Sequence, residues 1–342
     1  MIFQQILNEE SGCLSYLIGC GQCGQGAVVD PARDRVDDYV ALARRKGLTI
    51  TDIVETHIHA DHVSGNQALA ASTGARIHLH PAAEPAFPTT PIEDGSEIRL
   101  GNISLKMLHT PGHTPDSVSL LVSDLSRGPD PWFVLTGDTL FIGDVGRPDF
   151  GGEQAAARLY RSLTSRLLTL SDSVEIYPAH GAGSSCGRAM SSKTASTIGF
   201  ERRFNVALQA PDEEAFVRGL MAGLPAKPAN FERIVARNRA RALPQVGDAR
   251  PLGAAQAREA LAKGACVLDI RTAAEFGEGH VPGALNVWIE SPQFANRVGL
   301  FAPADAPIIL VAAAPTDLTR AVQGLGRVGI DDVAGYLQWG MT

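Results

Sequence analysis

Between residues 57 and 62 the chain reads His-Ile-His-Ala-Asp-His, four side chains with lone pairs to offer within six positions. In an extended loop His57 and His59 point the same way, so both can reach one metal ion. Asp61 and His62 follow at a spacing that suits a neighbouring site. Imidazole suits zinc or iron(II), and a carboxylate can complete or bridge either site. Three further candidates, His113, Asp138 and His180, lie far off in sequence. Each stands at the end of an apolar run, as His57 does: TDIVETH, ISLKMLHTPGH, WFVLTGD and VEIYPAH. Four strand ends delivering ligands imply neighbouring strands whose common edge holds metal, because loops on a rigid scaffold are where such sites are built. His78, His80 and His109 lack that company and read as structural or exposed.

A second pattern with chemical content is Cys20-Gly-Gln-Cys23. CxxC spacing suits a redox pair or half a zinc site. No second CxxC accompanies it, and the surrounding GCGQCGQG is Gly-rich, so it reads as a turn between two strands.

The elements that must position these residues follow from periodicity. LSYLIG and GAVVD read as paired strands. DRVDDYVALARRKG reads as a helix with Val36, Tyr39, Val40 and Ala43 on one face and Gly47 as its stop. A short helix follows over NQALAASTG. Strands, hairpins and helices in this mixture predict an α/β fold with two sheets, each covered by helices. From about residue 185 to 245 the chain turns to helix and linker, with Arg-rich IGFERRFNVAL and ANFERIVARNRARAL on either side of GLPAKPAN. A second alternation starts near Pro251: AAQAREALAKG as helix, ACVLDIR and APIILVAAA as strands, LTRAVQGLGRVG as helix. That is the βα order of a parallel sheet. The expected domains are therefore 1–243, with a helical extension from about 185, and 250–342.

Bulk properties bound the function. A chain of 342 residues suits two cores better than one. With 44% hydrophobic and 20% charged residues it is an ordinary globular composition. A net charge of -7 speaks against a nucleic-acid partner and against an anionic membrane surface. No apolar run approaches the roughly 20 residues of a membrane helix. The start, MIFQQILNEESG, lacks the basic and apolar stretches of a secretory signal, which predicts a cytoplasmic protein. Five cysteines, few and odd in number, agree with that compartment.

The runs THIHADHVSG, TPGHTPDSVS, TGDTLFIGDVGR and YPAHGAG resemble the metallo-β-lactamase superfamily over about residues 1–240. The resemblance implies an αββα sandwich with metal at the strand edge. It also implies one of two reactions. A hydrolase similar to glyoxalase II would use one or two zinc ions, the first on His57, His59 and His113, the second on Asp61, His62 and His180, with Asp138 bridging. A metal-bound hydroxide would attack a thioester carbonyl. A persulfide dioxygenase would instead hold one iron(II) on His57, His113 and Asp138, a facial arrangement with open positions for substrate and O₂. His59, Asp61, His62 and His180 would then stand around it. GDTLFIGDVGRPDFGG looks like the dioxygenase version, and by resemblance Arg147 would anchor the carboxylate of a glutathione-like substrate. The other reading of Arg147 is an ion pair with Asp149 or Asp144. After His180, PAHGAGSSCGR lacks the tyrosine that glutathione-using members carry, so the thiol carrier stays open. Cys186 in this loop could accept sulfane sulfur, and reads more simply as a small buried cysteine.

VLDIRTAAEFGEGHVPGALNV, residues 267–287, resembles the rhodanese domain, which implies a parallel-sheet domain over about 250–342. A working rhodanese needs a cysteine opening the loop after its central strand, where backbone N–H groups cradle a persulfide anion. That strand and loop here read IILVAAAPTDLTRA, placing Ala312, Ala313 and Ala314 where the nucleophile belongs. Cys266 precedes a different strand. The domain is expected to be silent in sulfur transfer and to serve packing, dimerisation or docking, which leaves room for a homo-oligomer. The chain ends after GYLQWG, where such a domain normally ends, and a longer parent stays open. The expectation is a dioxygenase that oxidises a low-molecular-weight persulfide with O₂ to sulfite and free thiol. Thioester hydrolysis is the alternative, and a non-enzymatic sulfur-binding scaffold is the weaker third.

Overall fold

The computed structural model describes residues 1–182, 184, 187, 190–222, 224, 227–241, 249–303 and 306–337. Cys186 lies outside them, as does most of the boundary expected at 243–250. The chain forms two compact bodies: Met1–His59, Ser64–Lys227 and Asn238–Arg241; and Ala60–Val63, Pro228–Arg237 and Ala242–Thr342.

The first body contains two six-stranded sheets. One runs in the order β1 (Ile2–Leu7), β2 (Leu14–Cys20), β3 (Gln25–Val29), β4 (Thr49–Val54), β5 (Arg76–Leu79), β6 (Thr90–Pro91). β1, β2 and β3 pair antiparallel, and from β3 onward the pairing is parallel. The other sheet runs β12 (Ser196–Thr197), β11 (Glu175–Pro178), β10 (Phe133–Gly137), β9 (Val118–Asp124), β8 (Ile103–His109), β7 (Glu97–Leu100).

The facing surfaces follow from period two. Leu14, Tyr16, Ile18 and Cys20 of β2 join Ile103, Leu105 and Met107 of β8 and Val118, Leu120 and Val122 of β9 in one buried cluster. The alternate residues turn outward. On β10 and β11, Val134 and Ile176 meet Ala156 and Leu159 of α3 (Gly152–Ser162). Phe216 and Leu220 of α5 (Glu213–Met221) join the same layer. On the first sheet, α1 (Val36–Arg45) and α2 (Asn66–Thr73) lie against β4. The predicted face of α1 buries Tyr39 and Ala43 fully and leaves Val36 and Val40 half-buried. The segment IGFERRFNVAL is not one helix. α4 (Ile198–Phe204) stops at Asn205, whose amide is drawn inward to the Asp144 carbonyl at 3.0 Å and to Glu201 Oε2 at 2.9 Å.

The second body holds a five-stranded parallel sheet ordered β13 (Pro251–Leu252), β17 (Val333–Leu337), β16 (Ile308–Val311), β14 (Cys266–Asp269), β15 (Leu285–Asn286). Its central strand β16, IILV, is fully apolar and buried because a parallel sheet is covered on both faces. Leu268, Ile308 and Leu310 pack with Val298, Leu325 and Val328 on one side; Val267, Ile309 and Val311 pack with Leu252 on the other.

Leu120 is central to the face between the two sheets and fully buried. Leu120→Ala should cost about 2–5 kcal/mol of stability through lost contacts and a residual cavity. Urea unfolding followed by a probe in the first body should read this; a cost below about 1 kcal/mol would mean the sheets can collapse onto the gap.

Candidate metal centre

Every expected ligand lies just beyond the C-terminal end of its strand: His57 after β4, His113 after β8, Asp138 after β10 and His180 after β11. β10 and β11 are parallel neighbours, so Asp138 and His180 emerge side by side. Gly146 lets the loop after β10 fold back over the site; a Cβ there would run into the Asp138 carbonyl oxygen and crowd the His113 side chain.

Within the first body two groups of such side chains form, in each of which one ligand atom per residue lies within 4.8 Å of the others. The first is His57, His113 and Asp138. Asp138 Oδ2 stands 3.8 Å from His57 Nε2 and 3.5 Å from His113 Nε2. That oxygen is buried and has no hydrogen-bond partner among the described residues. A buried carboxylate oxygen facing two imidazole nitrogens, unbonded to any donor, fits a divalent cation. Its other oxygen, Oδ1, bonds His180 Nδ1 at 2.6 Å. Burial alone would raise the Asp138 pKa, but the charge and hydrogen bond of His180, with help from His57 and His113, hold it well below the usual carboxylate range. The carboxylate is anionic and ready to coordinate.

Both imidazoles of this group are oriented from behind. His113 Nδ1 lies 2.8 Å from the Arg147 carbonyl oxygen, an acceptor only, so Nδ1 carries the proton and Nε2 keeps its lone pair for the site. His57 Nδ1 lies 2.9 Å from Thr56 Oγ1, and that hydroxyl donates to Asp30 Oδ2 at 2.9 Å. The only hydrogen left for the first contact is on the imidazole, which again turns a bare Nε2 inward. Burial, then the charge of His59, pushes the His57 pKa far down and keeps the ring neutral. Asp116 Oδ2 accepts the Ile58 N–H at 2.7 Å, fixing the loop between the two histidines.

His59 falls in a second group with Asp30 and Glu55, its Nε2 3.3 Å from an oxygen of each. Burial opposes its protonation, but Asp30 and Glu55 outweigh that and raise its pKa well above the ordinary value. The rings of His57 and His59 lie with centroids 4.2 Å apart, in a loop made of bends.

Asp61 and His62 hydrogen-bond each other at 3.2 Å, and Cys13 bridges to His180 in backbone pairing. Cys13 carried no spacing signal in the sequence, nor did Asp30 and Glu55, which sit one strand away from each other. Asn238, 179 residues beyond His59, donates to the His59 carbonyl at 2.9 Å and accepts the Ser64 N–H at 2.8 Å. Arg147 is buried and ion-paired with Asp149, Nε to Oδ2 at 2.9 Å and Nη2 to Oδ1 at 3.0 Å. His78 is structural, bonded to Asp52 at 2.8 Å, and His80 and His109 stack with ring centroids 4.0 Å apart.

Two sheets in face-to-face layers with a histidine–aspartate site at the strand ends define a metal-binding α/β protein. The sequence matches the metallo-beta-lactamase superfamily over residues 9–180 and the rhodanese-like domain over residues 253–342. The chain belongs to the metallo-beta-lactamase superfamily and carries a rhodanese-like domain behind its metal-binding domain. It is 30% identical over 226 residues to the mitochondrial persulfide dioxygenase ETHE1 of Homo sapiens, which covers 63% of this chain and 78% of that protein. It is 34% identical over 169 residues to the hydroxyacylglutathione hydrolase of Nitrosococcus oceani, covering 48% of this chain and 61% of that one. Among solved structures, a metallo-beta-lactamase from Staphylococcus aureus subsp. aureus COL superposes with a TM-score of 0.89 at 33% identity, over 98% of both chains. Among the described residues no helix is long and apolar enough to cross a membrane.

Thr56→Val should remove the hydroxyl that holds His57 while keeping its shape. We expect a loss of roughly 10–100-fold in affinity for a divalent ion, read by competition with a chelating dye. Unchanged affinity would show that the hydroxyl does not orient the ring.

Proposed function

We propose that this protein is a non-haem iron(II) persulfide dioxygenase that oxidises a low-molecular-weight thiol persulfide. The observation that carries this reading is the isolation of His57, His113 and Asp138 as a three-residue group, two imidazoles and one carboxylate. That donor set is the one non-haem iron(II) oxygenases use with coordination positions left open. The similarity to a named persulfide dioxygenase and the sulfur-handling type of the attached domain support it.

The reaction takes one persulfide, one O₂ and one water to one thiol and one sulfite, with the terminal sulfur oxidised and the inner sulfur leaving as thiol. Iron(II) bound at this site would supply the redox chemistry with O₂. The chain's residues hold His57 and His113 in one tautomer, keep Asp138 ionised through His180, and exclude bulk water by burying all four groups. Asp138 also makes the site less positive, which moderates its hold on an anionic persulfide. Arg147 would sit on the substrate side: its carbonyl fixes His113, and its guanidinium, braced by Asp149, would meet a substrate carboxylate. The compartment proposed is the cytoplasm.

A second reading, thioester hydrolysis at one or two zinc ions, is favoured by the similarity to a hydroxyacylglutathione hydrolase. Metal analysis and oxygen-electrode traces on iron-loaded protein given glutathione persulfide separate the two. We expect one iron per chain and persulfide-dependent oxygen uptake. Two zinc ions, thioesterase activity and no oxygen uptake would reverse the assignment. His113→Ala should lose both ion and activity, whereas His180→Ala should retain iron at lower affinity, because His180 supports Asp138 rather than the ion.

The rhodanese-like domain is proposed to be inactive in sulfur transfer. Its loop between β16 and α10 (Pro315–Arg327) is Ala312-Ala313-Ala314, with no thiol to form a covalent persulfide. Thiocyanate formation from thiosulfate and cyanide should be absent; clear turnover would refute this.

A further inference from the structure

The CxxC pair occupies the turn between β2 and β3, as its sequence suggests, yet its two sulfurs converge. Cys20 closes β2 and is buried; Cys23 lies in the turn and is exposed. A tight turn brings residues three apart to within roughly 7 Å at Cα, inside the span that a disulfide bridges. From the other sheet, the turn between β7 and β8 presents Gly101 with φ +57°. The Cys23 and Cys20 sulfurs lie 2.5 and 3.0 Å from the position a Cβ on Gly101 would take. Glycine is required here twice over, for its left-handed backbone and because two sulfurs fill the space of a side chain. The contact is pinned by Asn102, whose amide donates to Gln22 Oε1 at 2.9 Å.

The surroundings of the two thiols differ in a useful way. Cys23 Sγ donates to Gln25 Oε1 at 3.6 Å and is open to solvent. Cys20 Sγ is approached by the backbone N–H of Asn102, then of Cys23 and Gln22, and by the Cys23 side chain; these donors draw its pKa down to about 7. A cleft of about 160 Å³ opens beside it, lined by Cys20, Gln22, Asn102 and Ser126 among others. β2 runs seven residues from Leu14, beside the metal-binding edge, to Cys20. At about 3.3 Å per residue the pair stands roughly 20 Å from that edge, at the opposite end of the sandwich. It is a separate site.

We propose that Cys20 and Cys23 form a thiol–disulfide exchange site for low-molecular-weight disulfides, cycling between a dithiol and an intramolecular disulfide. The exposed Cys23 thiolate attacks one sulfur of the incoming disulfide RSSR; the S–S bond breaks, RS⁻ leaves, and a mixed disulfide forms on Cys23. The Cys20 thiolate, held by its backbone donors, then attacks Cys23 Sγ and expels the second RS⁻. The two cysteines give up two electrons, which reduce RSSR to two thiols. The two protons lost by the cysteines are taken up by the two RS⁻. A resolving thiolate on Cys20 with the Cys23 sulfur close by is what rapid closure of the second step requires.

The test uses the full chain with glutathione disulfide, followed by alkylation with N-ethylmaleimide and peptide mass mapping. The wild type should yield Cys20 and Cys23 joined and protected from alkylation. Cys20→Ser should trap a stable glutathione mixed disulfide on Cys23, since the resolving thiolate is gone. In the reduced protein, the alkylation rate of Cys20 should rise through a midpoint near pH 7. Full alkylation of both thiols after glutathione disulfide treatment would overturn the proposal. So would a pair that becomes reactive only after a chelator strips zinc from it. Metal content at the histidine–aspartate centre should be the same in Cys20→Ser and wild type, which keeps this result independent of the proposed oxygenase activity.

Discussion

A carboxylate with no solvent around it must be answered on both oxygens, and the architecture of the first domain follows from doing this for Asp138. One oxygen is bonded by His180, which requires β10 and β11 to be parallel neighbours ending at the same level. The other faces His57 and His113, which requires β4 of the opposite sheet and β8 of the same sheet to deliver their loops to the same point. The return loop after β10 must pass so close that only glycine fits at residue 146. Desolvation of this kind is expensive unless charge or hydrogen bonding offsets it, and a cation at the unbonded oxygen completes the offset.

The same reasoning separates the seven candidates more sharply than their spacing could. His57 and His59 are two residues apart and shifted in opposite directions: the pKa of one is pushed down beside a tautomer-fixing hydroxyl, that of the other is raised between Asp30 and Glu55. The difference arises behind the ligands. Asp30 adopts a left-handed backbone, φ 51°, that turns its carboxylate to both Thr56 and His59. One buried carboxyl group thereby bears on the tautomer of one histidine and on the titration of the next.

This explains what the sequence could and could not disclose. The gathering of His57, His113, Asp138 and His180 was legible because each follows an apolar run, and strand ends are where a scaffold offers side chains. The two sheets, the parallel C-terminal sheet and the face of α1 were legible from periodicity. The supporting groups were not. Asp30, Glu55, Asp116 and Asn238 look like ordinary polar residues until the fold brings them behind the site, and Cys13 has no nearby ligand to give it a pattern. The break at Asn205 was hidden for a related reason: a helical period continues through it, and only the buried carbonyls that its amide satisfies stop the helix.

A turn and a reactive pair are not alternatives, and Cys20 and Cys23 show why. Composition alone makes GCGQCGQG a hairpin, which it is. What composition cannot supply is the second hairpin, whose Gly101 and Asn102 approach from the other sheet and complete the surroundings of the sulfurs. The sandwich that gathers two imidazoles and a carboxylate at one edge thus closes around two thiols at the other, and in both places a glycine without room for a Cβ marks where the chain comes in to do it.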